Sequence, residues 1–261
     1  KNKTKTKTKQ KQKQKQKHMY QLFACLFTFT FSLEILGYCN NFYRTAGMSK
    51  LYWNLAVYTF ATIIDYYAMI VYDIDIYSEF VLVPYTPHHS RMCVVYGMHI
   101  GLWCATFLDF LTTKHRDKDY TVMFIHHIST LTALLISNYF GHRVIGLCVL
   151  HLHDIVDVSV SFTKLLVKNT SSVPYGSVEL SYIIMVISWV YFRIYLFSYN
   201  IVYMAVIPLA MREQTFATVI PTFALIVLAM CNLYWLVLML KIPFNNRSHD
   251  NIANCYENKN Q

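Results

Sequence analysis

The chain has 261 residues, of which 55% are hydrophobic, 16% aromatic and only 14% charged, with a formal net charge of +9. About a quarter of a soluble domain's residues are charged, so an ordinary soluble fold is excluded and a membrane protein is indicated. The 7 Gly and 6 Pro are too few for a turn-rich β fold or a disordered chain.

Residues 1–18 come first in the chain. Nine lysines fall within the opening 17 residues, KNKTKTKTKQKQKQKQK. A segment with no apolar group to bury stays disordered. It reads as a solvated tail with weak attraction to anionic lipid headgroups. Its charge is not carried by a folded surface, so nucleic acid is not an expected partner.

Apolar runs follow at about 19–39, 50–72, 92–113, 120–140, 143–167, 181–207 and 216–241. Each is near the roughly 20 residues that a helix needs to cross the hydrocarbon core. Helices rather than strands are expected, because an open sheet cannot satisfy its backbone in lipid. The prediction is an all-α, polytopic membrane bundle of about seven transmembrane helices. The run at 19–39 is read as a helix rather than a signal peptide: GYCNN is a poor cleavage site, and Glu34 interrupts the apolar stretch.

Basic residues set the expected orientation. Connections on the side of the C-terminus hold Arg44, Lys50, Lys114, Arg116, Lys118, Lys168, Lys241, Arg247 and Lys259. The other side holds Arg91, Arg143 and Arg212. The connections therefore predict a cytosolic C-terminus, including the tail 246–261. The lysine tail argues the other way and is discounted as flexible. The seven cysteines form no C-x-x-C pair and read as small core residues rather than zinc ligands or disulfides.

The stretch 124–164 carries the chemistry. It reads FIHHISTLTALLISNYFGHRVIGLCVLHLHDIVDVSVSFTK, with ionisable groups inside runs meant for lipid. Each such group costs roughly 2.5–3.5 kcal/mol at a helix centre. His126 and His127 precede the turn at Tyr139–Arg143 by about 14 residues; His153, Asp154 and Asp157 follow it by about 12–16. At 1.5 Å per residue, both sets lie roughly 20 Å from the turn and hence at one depth. His153 and Asp157 are i, i+4, so they share a helix face. A carboxylate beside an imidazole selects a tautomer, which a nucleophilic or general-base histidine needs.

The loop KHRDKDY supplies Lys114, Arg116 and Lys118, which could receive a phosphorylated head group. His151 is equally readable as a satisfied core histidine. His99 and Asp109 read as lone polar groups lining the bundle, and Lys164 as a snorkelling cation. A metal centre is the competing chemistry, but the H-x₂₋₃-H boxes of membrane di-iron enzymes are missing around His126 and His127. No G-x-S-x-G turn is present for a serine nucleophile. No metal is expected.

Phe124-Ile125-His126-His127-Ile128-Ser129-Thr130, then Leu152-His153-Asp154-Ile155-Val156-Asp157 and Lys164, resemble the Lag motif of the ceramide synthases in the TLC-domain superfamily. Weaker similarity runs through Ser49–Trp53, Arg116–Tyr120, Tyr191–Arg193 and Asn232–Trp235. It covers about residues 45–245, and departs from the family at Gly141-His142-Arg143 and in the extra His151.

The resemblance implies that six of the helices form a TLC-type bundle in the endoplasmic reticulum membrane. It implies N-acylation of a sphingoid base by a fatty acyl-CoA. His126, His127, His153, Asp154 and Asp157 would be the catalytic set, and Lys114, Arg116 and Lys118 would meet the CoA phosphates. Acyl-CoA is a co-substrate, and no bound cofactor is expected. Membrane lipids, a second copy or an accessory subunit complete the candidate partners. In that family the connection between the last two helices, here about Pro208–Thr215, influences acyl-chain length. The alternatives are a non-catalytic TLC-domain lipid sensor or transporter, and a metal-dependent lipid hydroxylase.

Overall fold

A computed structural model describes residues 16, 19–36, 46–72, 74, 90–112 and 119–245. The helices are α1 (Met19–Leu36), α2 (Ala46–Tyr72), α3 (Ser90–Thr112), α4 (Tyr120–Phe140) and α5 (Arg143–Lys168). A 3-10 turn at Thr170–Ser172 leads into α6 (Ser177–Ser188). This runs without a break through a π-helical segment (Trp189–Val206) into α7 (Ile207–Glu213), and α8 (Phe216–Asn245) ends the bundle. With the Ser177–Glu213 rod counted once, 7 helices are long and apolar enough to cross a membrane. Among the described residues there is no strand. The protein is a multi-pass membrane helix bundle, as its composition predicts.

Lipid cannot hydrogen-bond backbone, so every span satisfies its own backbone as a helix. The interior is built from α5, the π segment and α8, where Leu147, Leu152, Phe197, Ile201 and Leu228 are buried together. Tyr96, Ile100, Trp103, Leu134 and Leu150 form a second cluster where α3, α4 and α5 meet. Large apolar side chains such as Ile63, Tyr67, Ile187 and Phe223 point outward, where lipid rather than water covers them.

Gly141 ends α4 in the left-handed conformation at φ 88°, which a Cβ would disfavour. Arg143 fixes the resulting turn by donating to the Asn138 side-chain and main-chain oxygens at 2.8 and 2.9 Å. The turn therefore makes α4 and α5 antiparallel neighbours. α1 docks on α3 at Gly97 and Gly101: a Cβ on Gly97 would stand 2.6 Å from the Gln21 carbonyl oxygen, and one on Gly101 would overlap Thr28 and Cys25. Small residues spaced i, i+4 allow close helix approach in lipid.

The last connection differs from the sequence expectation. Residues 208–213 are helical, and Gln214, at φ 49°, and Thr215 alone join α7 to α8. Pro208 stands in the first turn of α7, where the ladder changes from the wide to the normal register, so its missing N–H does not end the rod. Leu209, Ala210 and Met211 are good helix formers that continue it. The sixth span is accordingly longer at both ends than the apolar run 181–207. The expected span 19–39 is helical through Leu36, and residues 37–39, the tail 1–15 and the tail 246–261 lie outside the described residues.

Candidate active site

α4 and α5 bring the histidines to one level. The His126 and His153 rings lie 6.5 Å apart between centroids, as the equal distance from the turn predicts. His126 and His127 are 6% and 5% exposed. Aromatic rings enclose them: Trp103 lies 6.0 Å from His126 and 5.8 Å from His127. Trp235 lies 5.2 Å from His126, and Phe110 5.1 Å from His127. The Nδ1 atoms of both histidines have no hydrogen-bond partner. Two imidazoles are thus enclosed by aromatic rings, with no polar partner at either Nδ1 among the described residues.

The α5 residues are used differently from the expectation that Asp157 pairs with His153. The Nδ1–H of His153 donates to the Val149 carbonyl oxygen at 2.8 Å. That leaves Nε2 as the acceptor facing the Asn232 amide at 3.5 Å. Asp157 instead accepts from Arg193 Nη2 at 2.6 Å. The same guanidinium donates to the Asn232 side chain and the His153 carbonyl, each at 3.1 Å, and lies 4.6 Å over the Trp189 ring. Arg193 is 3% exposed; a buried guanidinium needs such partners, and its Nη atoms have them while its Nε has none among the described residues. The i, i+4 spacing placed the two α5 groups on one face, but a cation from the π segment took the carboxylate.

Asp154 belongs to a second cluster. His99 of α3 bonds Asp65 of α2 at 2.8 Å through Nε2, and its Nδ1 faces Asp154 Oδ2 at 3.8 Å. The donor atoms of these three residues lie within 4.8 Å of one another. Two carboxylates and an imidazole are a donor set that zinc, manganese or iron accepts.

Lys114, Arg116 and Lys118 lie outside the described residues. Near that end of the bundle, Lys50 pairs with Asp109 at 2.6 Å, and Trp235 Nε1 donates to Asp119 at 3.3 Å. His151 is buried and stacks on Tyr66 at 6.2 Å. Lys164 is exposed. Cys25, Cys93, Cys104, Cys148 and Cys231 are unpaired thiols.

One helical turn from the histidine layer, towards the α4–α5 turn, lies an apolar cavity of about 70 Å³. Thr130, Val149 and Leu228 line it at the histidine end, and His142, Leu209 and Thr218 at the other. Its far wall therefore includes residues flanking the Gln214-Thr215 connection. His142 lies between spans; burial pushes its pKa below the usual histidine value, against an opposing pull from Glu213.

Sequence reasoning missed Asp65, Arg193 and Asn232 as parts of these clusters. Asp65 is the one acidic residue of α2, so the cost argument that singled out Asp154 applied to it equally. Nothing in the spacing of Arg193 and Asn232 pointed to His153, because they come from helices far along the chain.

Residues 47–241 match the TLC domain family. Over 131 residues, 45% of this chain, it is 33% identical to human ceramide synthase 1, covering 36% of that protein. It is 30% identical over 186 residues, 64% of this chain, to the sphingosine N-acyltransferase lac1 of Schizosaccharomyces pombe, covering 47% of it. The sphingosine N-acyltransferase lag1 of the same yeast is 33% identical over 104 residues, 40% of this chain and 25% of that protein. The chain thus spans less than half the length of each of these curated relatives. The TLC match covers most of the chain and contains both histidine clusters, and the protein belongs to the TLC domain family.

Proposed function

We propose that this protein is a sphingosine N-acyltransferase, which transfers the acyl group of a fatty acyl-CoA to the amine of a sphingoid base and releases CoA. The observation that carries the reading is the buried His126–His127 pair, boxed by aromatic rings one turn from an apolar cavity. The names of its relatives support the reaction class.

In the proposed scheme one imidazole attacks the thioester carbonyl. The new C–N bond forms, the C–S bond breaks, and the departing thiolate takes the ring proton. The neutral amine then attacks the acyl-imidazole. The amide bond forms, the acyl–histidine bond breaks, and a proton from the amine returns to the ring. His126 is the preferred nucleophile, since it lies between His153 and Trp235. Direct transfer, with the imidazole as base, uses the same residues. Trp103, Trp235 and Phe110 would keep water from the acyl-histidine.

His153, with Asp154 and Asp157, would set the charge and orientation of the layer through Arg193 and Asn232. Lys114, Arg116 and Lys118, together with Lys50, would meet the CoA phosphates at the cytosolic face. The acyl chain would extend into the cavity towards Leu209 and Thr218. The endoplasmic reticulum membrane, a cytosolic C-terminus, and a second copy or accessory subunit complete the proposal; acyl-CoA is a co-substrate, and the scheme uses no bound cofactor.

The test uses membranes from a host without ceramide synthases, supplied with labelled sphinganine and a panel of acyl-CoAs. Product from wild type, and none from the His126→Ala/His127→Ala double variant, is expected. Well-expressed wild type that yields no product contradicts the proposal and favours a lipid-binding role.

A further inference from the structure

A second cavity, of about 420 Å³, lies between α1, α2 and α3. It is larger than the one beside His126 and His127 and shares no lining residue with it. Phe27, Phe31, Trp53, Phe60 and Leu102 make its walls apolar, and among the described residues His99 is the one ionisable residue lining it. Behind His99 stand Asp65 and Asp154, each 0% exposed.

Their hydrogen bonding is incomplete in a specific way. His99 Nε2 lies 2.8 Å from Asp65 Oδ1 and donates to it; in the neutral ring Nδ1 then carries the lone pair. Nδ1 faces Asp154 Oδ2 at 3.8 Å, too far for a hydrogen bond. His99 Nδ1, both Asp154 oxygens and Asp65 Oδ2 have no hydrogen-bond partner. Buried polar atoms are rarely left so, and buried carboxylates need a compensating charge.

Two acceptors 3.8 Å apart are spaced for a shared donor, since one nitrogen can stand roughly 2.8 Å from each. An ammonium group matches that spacing, with hydrogens for both acceptors and a charge opposite to the carboxylates. A bare divalent ion would satisfy the same donors, but it makes no use of the apolar cavity that His99 lines. A primary amine on a hydrocarbon chain uses both features.

We infer that the α1–α2–α3 cavity, with Asp65, His99 and Asp154 at its polar end, is a binding site for a long-chain primary amine. The chain lies among the aromatic walls, and the ammonium bridges His99 Nδ1 and Asp154. On the acyltransferase reading this is the acceptor's site, and it rests on that reading for its role though not for its chemistry. Trp103, one turn along α3 from His99, touches both His126 and His127, so the amine end of the cavity lies next to the histidine box.

The experiment measures equilibrium binding of radiolabelled octadecylamine and octadecanol to the purified full-length protein in nanodiscs, without acyl-CoA. Wild type should bind the amine at least about tenfold more tightly than the alcohol. Asp65→Asn should remove that preference while alcohol binding persists, and Ala61→Phe, which fills the cavity, should weaken both ligands at least about tenfold, the equivalent of about 1.4 kcal/mol. Equal affinity for amine and alcohol overturns the inference. So does unchanged binding to Ala61→Phe, the deciding variant if Asp65→Asn fails to fold. A stoichiometric divalent metal in wild type that Asp65→Asn lacks overturns it in favour of a metal site. Binding read this way is independent of catalysis, so a wild type that makes no N-acyl product leaves the amine site standing.

Discussion

His99 and the His126–His127 pair are both buried, and they are built in opposite ways. His99 is oriented by a carboxylate, with Asp65 at 2.8 Å and Asp154 beyond its other nitrogen. His126 and His127 touch no carboxylate; rings of Trp103, Phe110 and Trp235 surround them and their Nδ1 atoms are unpartnered. A neutral imidazole whose Nε2–H is taken by a carboxylate presents its other nitrogen as an acceptor beside negative charge. One in an apolar box is poised to stay neutral, keeping a lone pair available as nucleophile or base. The fold therefore separates a carboxylate-bearing histidine cluster from an aromatic-boxed one within a single membrane interior.

The comparison breaks most sharply at the histidine box. His126→Ala with His127→Ala should lower N-acylation by about 10³-fold or more, measured as labelled product per expressed protein, with helicity by circular dichroism unchanged. An Asp65→Asn variant should instead raise the KM for the sphingoid base by roughly tenfold, leaving the KM for acyl-CoA within about twofold.

Arg193 tests the support between the clusters. Arg193→Met leaves Asp157 without its cation and Asn232 without a donor, and loss of one partner of a buried pair costs about 3–5 kcal/mol. A thermal unfolding scan should show a large fall in midpoint. Restoring charge balance with Arg193→Met plus Asp157→Asn should recover part of the loss. Asn232→Leu removes only the amide facing His153, about 1–3 kcal/mol for an unmet buried group, and activity should fall more than stability.

Smaller effects sharpen the picture at the cavity ends. Thr218→Phe narrows the far wall of the cavity beside the histidines and should shift preference to shorter acyl chains by roughly tenfold, read from the acyl-CoA panel. The least effect is expected at His142. Burial lowers its pKa, so the folded state binds its proton less well than the unfolded chain. Stability is then fully present above the unfolded value of about 6.5 and falls as pH drops below it. Melts at successive pH values should show this slope, and His142→Gln should flatten it.

The level at which the histidines meet was legible because rise per residue is fixed: His126 and His153 are nearly equidistant in sequence from Gly141, and a glycine-capped turn makes their helices antiparallel. The seven spans were legible from apolar run length alone. The partners of Asp157 were not, because i, i+4 spacing fixes a shared face and says nothing of which neighbour occupies it; Arg193 arrives from 36 residues away. His99 was read as a lone polar group lining the bundle and Asp65 was not singled out, because single polar groups of this kind commonly line a bundle. Only tertiary packing joins them across α2 and α3. The last connection is shorter than the expected Pro208–Thr215 because Pro208 falls in the first turn of α7 and does not end the rod.

The central claim is that the boxed histidines carry the acyl group, and the most direct measurement is to trap it. Purified protein is incubated with acyl-CoA and no amine, quenched, digested and analysed by mass spectrometry. The account predicts the acyl mass on the peptide containing His126 and His127, lost on adding sphinganine and missing from the double alanine variant. Acyl label on a different peptide, or N-acylation at full rate with neither histidine present, would contradict it.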